Sequence, residues 1–331
     1  MHVRVLCGIV IVALVQGVCL GQDRGEAVRL YNVGVAHVLT GRDRDAVDCF
    51  KRVLQHDSSY IEAWIQLGQA YLRMDQRELG LNALNKAIAA APFRADARIA
   101  LGTAYLEMGR GEEAKDTFNR AKDILGSADI ATLLAYAMTG RKAGLTNAPE
   151  EALRYAIRLK PTNVQEWLLM GILYTEGGDL DRAILALENA TLTPTPPPEA
   201  WANLGIVYMR KGSHGLAAQM FARAYKQGMV NRQLLVNLGS SLSECGRLDD
   251  TIVVFKELTK RYPDFAEGWY NLGVASARHG WVDEAIRYYE KAMQLKPDYP
   301  EAVKALNDAN EFRRLLDADP ASKHSLYQIA P

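Results

Sequence analysis

The chain has 331 residues, 49% of them hydrophobic and 24% charged, a balance that excludes disorder as the default state and permits a large buried core. Lysine plus arginine equals aspartate plus glutamate at 39 each, so the formal net charge is zero. No global field draws such a chain to nucleic acid or to an anionic membrane, and its partners have to be recognised locally.

Met1 to Arg4 is a short basic start, Val5 to Val15 is almost uninterrupted Val, Leu, Ile, Ala, Gly and Cys, and Gln16 opens a small, polar exit. Residues 1–21 read as a signal peptide with cleavage expected after Gly21. The apolar run is shorter than the roughly 18 residues of a spanning helix, which places an uncleaved anchor second. Cys19 offers a further alternative, a membrane-anchored lipoprotein, although Val18 stands where a lipobox has Gly, Ala or Ser. The expected location is periplasmic or secreted, with membrane contact only if the signal is retained or Cys19 is lipidated.

From residue 27 onward the chain repeats itself at a spacing of 34 residues. The frame is weak at Leu30, Val33, Gly34, Ala46 and Phe50, and clear at Trp64, Leu67, Gly68, Tyr71, Ala87 and Pro92. It continues at Leu101, Gly102, Tyr105, Ala114, Phe118 and Ala121. One copy, from Ile130 to Asn163, keeps only Ala156 and Pro161, and one extra residue near Gly126 and Ser127 shifts its register. The pattern returns at Trp167, Gly171, Tyr174, Ala183 and Ala190, and at Trp201, Leu204, Gly205, Tyr208, Ala217, Phe221 and Ala224. It closes with Leu235, Leu238, Gly239, Phe255 and Pro263, then Trp269, Leu272, Gly273, Ala285, Tyr289, Ala292 and Pro297. Eight repeats thus span residues 27–299.

This pattern resembles the tetratricopeptide-repeat family. The resemblance implies an all-α fold, a right-handed α-solenoid of helix-turn-helix repeats. Apolar residues at spacings of three and four fall on one helical face. Gly41, Gly109, Gly144, Gly178, Gly212, Gly246 and Gly280 recur where each first helix should stop, and Asp75 replaces glycine in the second repeat. The glycine inside each first helix is a different device, expected to let two helices approach closely. Residues 300–316 form a capping helix with an apolar stripe of Val303, Leu306, Ala309, Phe312, Leu315 and Leu316, and 317–331 is expected to be a flexible tail. The Pro194, Pro196, Pro197, Pro198 run reads as a stiff turn between repeats. Cys49 and Cys245 are expected as two buried thiols too far apart in a stacked array to pair.

Nothing in the sequence points to an enzyme or to a cofactor. The six histidines are scattered, none at a metal-binding spacing, and the glycines follow the repeat rather than a strand-to-helix turn. Paired acids such as Asp249 and Asp250, or Glu112 and Glu113, open second helices, where the macrodipole favours negative charge. In the family, first helices line a concave face. Two residues after each frame tryptophan or its equivalent stand Asn32, Gln66, Ala100, Ala135, Leu169, Asn203, Asn237 and Asn271. The last three are similar to the asparagine ladder by which some family members hold an extended peptide backbone, since an amide offers both a donor and an acceptor.

Solvation of the face by these asparagines is the alternative. The lysines of carboxylate-clamp relatives are missing, for Glu62, Asp96, Gln165, Glu199, Gln233 and Glu267 hold those positions. Ile65, Ile99, Leu134, Leu168, Leu169, Ile172 and Ile206 are expected as a partly exposed apolar stripe. Arg73, Glu107, Lys142, Glu176, Arg210, Glu244 and Arg278 alternate in sign before each turn, as an expected charge ladder.

The function expected is an extracytoplasmic scaffold or adaptor that binds a protein or extended peptide in a concave groove, without nucleic acid. The alternative is a structural component or assembly factor of an envelope complex using its convex face or edges. N-terminal sequencing of the exported protein should return Gln22 or a close neighbour; Met1, or a lipid on Cys19, would reject the cleaved-signal reading.

Overall fold

The computed structural model describes residues 22–318. The expected signal peptide and all but the first two residues of the expected tail lie outside this range. Among the described residues every regular element is helical, and none of the helices is long and apolar enough to cross a membrane. The helices group into two compact units that divide between Gly177 and Gly178.

The first unit contains α1 (Gln22–Leu39), α2 (Asp43–His56), α3 (Ile61–Arg73), α4 (Arg77–Ala90), α5 (Ala95–Glu107), α6 (Gly111–Lys122), α7 (Ile130–Lys142), α8 (Ala148–Arg158) and α9 (Val164–Gly177). Each odd-numbered helix is the first of a repeat. The helices α1, α3, α5 and α7 each pack on the second helix of their own repeat, α3, α5, α7 and α9 on the second helix before them, and the successive first helices of this unit on one another. The inserted residue is absorbed by a 3₁₀ turn at Leu125–Ser127, after which α7 and α8 form despite their poor match to the frame. Two capping signals support them: the Asp129 side chain accepts from the Thr132 amide, and Pro149 lies in the first turn of α8.

The second unit contains α10 (Leu180–Thr191), α11 (Pro198–Arg210), α12 (His214–Lys226), α13 (Arg232–Glu244), α14 (Leu248–Arg261), α15 (Ala266–Arg278), α16 (Val282–Leu295) and α17 (Pro300–Ala318). Sequential neighbours pack on one another throughout, and α17 closes the unit against α16 and α15. The capping helix is two residues longer than the 300–316 expected. It also buries a different stripe: Ala302, Ala309 and Leu316 are sealed, Ala305 and Leu306 pack beside them, and Val303 and Leu315 are exposed. Alanine on the inward face lets the helix sit close, which turns Val303 and Leu315 outward.

Two glycine positions define the repeat. The seven turn glycines all have φ between 72° and 89°, and Asp75 stands at φ 57° in the same left-handed region. The residue after Gly41, Asp75, Gly109, Gly144, Gly212, Gly246 and Gly280 donates its amide five residues back, as in Ser213 to the Tyr208 carbonyl at 2.9 Å and Gln76 to the Tyr71 carbonyl at 2.9 Å, which satisfies orphan helix-end acceptors. The second glycine sits inside the first helix beneath an aromatic or leucine side chain of its partner. A Cβ on Gly205 would lie 2.7 Å from the Phe221 ring, and Gly34, Gly102, Gly239 and Gly273 meet Phe50, Phe118, Phe255 and Tyr289 in the same way.

The frame tryptophans are half-buried and not alike. Trp64, Trp167 and Trp269 each donate the indole N–H to a carbonyl six residues earlier, at 2.9, 2.9 and 2.8 Å. The Trp201 N–H is buried without a hydrogen-bond partner, and its helix α11 is entered from a proline-rich turn. Both thiols depart from expectation: Cys49 is half-buried, and Cys245 is exposed because it caps the end of α13 just before the Gly246 turn.

Two stability tests follow from this packing. Gly205→Ala should destabilise by up to about 2 kcal/mol, since overpacking of roughly 1–3 kcal/mol is set against the ~1 kcal/mol gain in helix propensity. Gly215→Ala, whose added Cβ meets nothing within 4 Å, should not destabilise. In urea unfolding Trp269→Phe should cost about 1 kcal/mol more than Trp201→Phe, since only the former breaks a hydrogen bond; equal costs would contradict the assignment.

Candidate peptide-binding face

The candidate residues lie on first helices at fixed register, and the two units hold different sets of them. In the second unit Asn203, Asn237 and Asn271 occupy the same position on α11, α13 and α15. Asn203 is half-buried and its Nδ2 donates to the Glu199 carbonyl one turn earlier at 2.8 Å. Asn237 is 9% exposed and its Oδ1 accepts from Gln233 Nε2 at 2.9 Å. Asn271 is half-buried and no described group pairs with its amide. The Asn203 acceptor, the Asn237 donor and both ends of Asn271 therefore remain for a ligand, or for solvent.

In the first unit Asn32 is exposed and Gln66 half-buried. The apolar stripe expected beside them is not a surface. Ile65, Ile99, Leu134 and Leu168 are buried, Leu134 at 1% and Leu168 at 8% exposure: Ile65 lies among buried residues of α4 and α5, and α7, which carries Leu134, packs against both α5 and α9. Leu169 and Ile172 in this unit stay half-buried, as does Ile206 in the second. Of the apolar contacts expected for a peptide, Ile172 is half-buried, while Leu134 and Leu168 belong to the core.

Sequence reasoning missed a polar cluster on the same helix ends. Arg94, just before α5, donates to Glu62 on α3 at 2.6 Å and also pairs with Asp96. Tyr31 and Tyr60 stack beside it with ring centroids 5.2 Å apart. Burial pushes the Tyr31 phenol above its ordinary range; Tyr60, Glu62 and Asp96 reinforce this and Arg94 opposes it. Glu62 and Asp96 stand out in the sequence only as positions where clamp lysines are missing, and nothing there assigns them a shared arginine.

The alternating charge ladder is replaced by a different one. Several pairs between consecutive repeats stand 30 residues apart: Arg73 donates to Asp43 at 2.7 Å, Lys211 to Asp181 at 2.6 Å, and His279 lies 2.9 Å from Asp249. Arg313 meets Asp283 at 3.0 Å with the same offset. Each acid opens a second helix and each base lies at or near the end of the next first helix, or on α17. Arg141, not Lys142, pairs with Glu176 at 3.8 Å, and Arg278 donates to Ser243 at 2.5 Å. The described residues hold no metal-ligating group of three or more His, Cys, Asp or Glu.

A second kind of surface lies along α4. A cleft of about 600 Å³ is bordered by Leu79, Asn82, Asn85, Tyr105 and Arg110, and an adjoining one of about 360 Å³ by Trp64, Tyr71 and Lys86. Both open beside second helices, away from the asparagine register.

The profile of the Cilia and flagella-associated protein 70 C-terminal domain, a tetratricopeptide-repeat domain, matches residues 89–265, more than half of the chain. Tetratricopeptide-repeat profiles match residues 61–94 and 266–299. The chain belongs to the tetratricopeptide-repeat family. Such an array is a protein-interaction scaffold. Similar curated proteins include the Protein CTR9 homolog of Arabidopsis thaliana, 22% identical over 84% of this chain and 29% of that protein. The Protein O-mannosyl-transferase TMTC1 of Homo sapiens is 26% identical over 61% of this chain and 23% of its own. The Peroxisomal targeting signal receptor of Kluyveromyces lactis is 20% identical over 76% and 38%.

This tetratricopeptide-repeat chain therefore spans well under half the length of these relatives. Among solved structures, that of MamA protein is similar with a TM-score of 0.47 at 23% identity, covering 51% of this chain and 92% of that one. The APC/C hetero-tetramer Cut9-Hcn1 gives a TM-score of 0.46 at 16% identity over 88% and 57%.

Proposed function

We propose that this tetratricopeptide-repeat protein is an extracytoplasmic scaffold that holds a partner protein, or an extended segment of one, against its first-helix faces. The observation that carries the reading is the run of Asn203, Asn237 and Asn271 at one register on three successive first helices of a single compact unit. Side-chain amides repeated at helix spacing, each with at least one end unpaired by a described group, match the repeating donors and acceptors of an extended backbone. The basic start and apolar run of residues 1–21 support export, to the periplasm or beyond. One curated relative is by name a receptor for a targeting signal, which is in keeping with recognition of a peptide segment.

The clefts along α4 favour a second reading, in which second-helix surfaces join an envelope complex and the asparagine face is unused. Its consequence is a reversed ranking of variants.

A partner captured from an envelope extract and purified separates the two. Asn237 is buried and bonded, so the clean variant is Asn203→Ala with Asn271→Ala, which should leave the melting temperature almost unchanged. Two lost hydrogen bonds of about 1 kcal/mol each should weaken partner binding about tenfold to thirtyfold. Unchanged affinity in this double variant, with loss on substitution of Leu79 or Asn82, would sink the groove reading in favour of the second.

A further inference from the structure

The cleft between α2 and α4 is bordered by two ammonium groups and no carboxylate, whereas the same register in the second unit carries both signs. Both helices pack on α3, which floors the cleft of about 360 Å³ with Trp64 and Tyr71. Lys86 stands over the Trp64 ring at 4.8 Å from its centroid, and Lys51 over the Tyr71 ring at 5.7 Å. A ring face steadies a long side chain and leaves its charge for a further partner. The ion pairs nearby, Arg73 with Asp43 and Arg77 with Asp75, use other residues, and no described carboxylate pairs with either lysine. Leu79 and Asn82, both exposed, stand beside them on α4.

The set recurs 137 residues later, four repeats plus the inserted residue, where Trp201, Tyr208 and Leu216 stand for Trp64, Tyr71 and Leu79. Arg223 lies over the Trp201 ring at 4.6 Å, as Lys86 does over Trp64, and Leu216 is exposed like Leu79. The two sets part at one position: the counterpart of Lys51 is Glu188. Its Oε1 accepts from the Tyr208 hydroxyl at 3.1 Å. A carboxylate thus fits against the tyrosine at this register, and in the second unit the chain supplies that carboxylate itself. In the first unit the position is cationic and the carboxylate is missing.

We propose that the cleft between α2 and α4 docks an acidic segment of a partner polypeptide, with its carboxylates on Lys51 and Lys86 and an apolar side chain against Leu79. Lys51, Asn82 and Lys86 lie beyond the first turn of their helices, where backbone amides are already bonded, so side chains are the donors left to a ligand. That suits carboxylates, whereas a phosphate group is held best by the free amides of a helix start. The adjoining cleft of α4 is balanced in sign, since Glu78 and Arg110 both border it and Arg110 donates to Glu113 at 2.8 Å, so the unmatched charge belongs to Lys51 and Lys86. The site goes beyond the asparagine reading: it uses second helices of the first unit and leaves Asn203 and Asn271 free to act.

The test uses the full chain and two amidated, tetramethylrhodamine-labelled octapeptides, followed by fluorescence anisotropy at low salt. One is glycine, glutamate, leucine, glutamate repeated twice, and the other has glutamine for every glutamate, which keeps the shape and removes the charge. The glutamate peptide should bind and the glutamine peptide at least roughly tenfold more weakly. Lys51→Gln with Lys86→Gln should cost the glutamate peptide roughly tenfold with the melting temperature almost unchanged. Lys51→Glu, which gives the cleft the charges of its copy, should cost at least as much. Equal binding of the two peptides, or unchanged affinity in the double glutamine variant, overturns the proposal. Asn203→Ala with Asn271→Ala should leave the glutamate peptide unaffected; a loss there moves the peptide to the asparagine face, so the cleft site fails and the asparagine reading stands. Co-sedimentation with phosphatidylglycerol vesicles is the remaining arm. The absence of vesicle binding supports a polypeptide as the occupant, whereas vesicle binding that disappears in the double glutamine variant assigns the lysines to a lipid surface and overturns the proposal.

Discussion

The contact on which the rest of the structure depends is the seat of a ring on a bare backbone. Gly34, Gly102, Gly205, Gly239 and Gly273 lie in first helices where a single methyl group would collide with Phe50, Phe118, Phe221, Phe255 or Tyr289. A glycine inside a helix costs about 1 kcal/mol of propensity, so its recurrence marks a place where closeness is worth more. Closeness fixes the distance and roll between the two helices of a repeat. With that geometry set, the left-handed glycine at each turn returns the chain in the same direction every time, and the neighbouring repeat finds the same surface to pack on.

Electrostatics follow from this spacing. A chain with zero net charge still places its charges usefully, because the repeat brings the acid that opens one second helix to the base near the end of the following first helix. Asp43 with Arg73, Asp181 with Lys211 and Asp283 with Arg313 show it in both units. These pairs are largely exposed and each contributes little to stability. Their effect is on register: a slip of one residue in packing would separate every pair. The Asp181 carboxyl is held below its ordinary value by its hydrogen bond to Lys211, as such a contact requires.

The turns and the close helix contacts were legible in the sequence because each depends on one residue type at one place. Even the exception was readable, since Asp75 stands where glycine should and adopts the same backbone. The degree of exposure along first helices was not. A period of 34 residues gives the angle of Leu134 or Ile172 around its helix axis, but the depth of burial depends on how closely α5 and α9 flank α7, which no single helix encodes. The same limit explains Trp201, whose N–H goes unmet in a helix entered from a proline-rich turn, and Cys245, exposed by its place at a helix end. Lys160 at φ 54° carried no signal at all, since lysine has no preference for that region. On the candidate face, the asparagine register was visible whereas the Arg94 cluster was not, because Glu62 and Asp96 are separated in sequence and only the fold gives them a shared arginine.

The degenerate fourth repeat shows which part of the pattern is indispensable. At the register of the buried glycine it carries Ala137, and at the register of the facing ring it carries Leu153; both are fully buried. The extra methyl on one helix is matched by a smaller side chain on the other, so the summed volume between α7 and α8 is nearly conserved. A swap of this kind is what a close-packed interior tolerates. Tyr136 then fills the space toward α6, edge-on to Phe118 at 6.0 Å. The consensus residues are therefore one solution among several to a constraint on volume and approach, and a repeat that loses the consensus keeps its place in the stack as long as it meets that constraint.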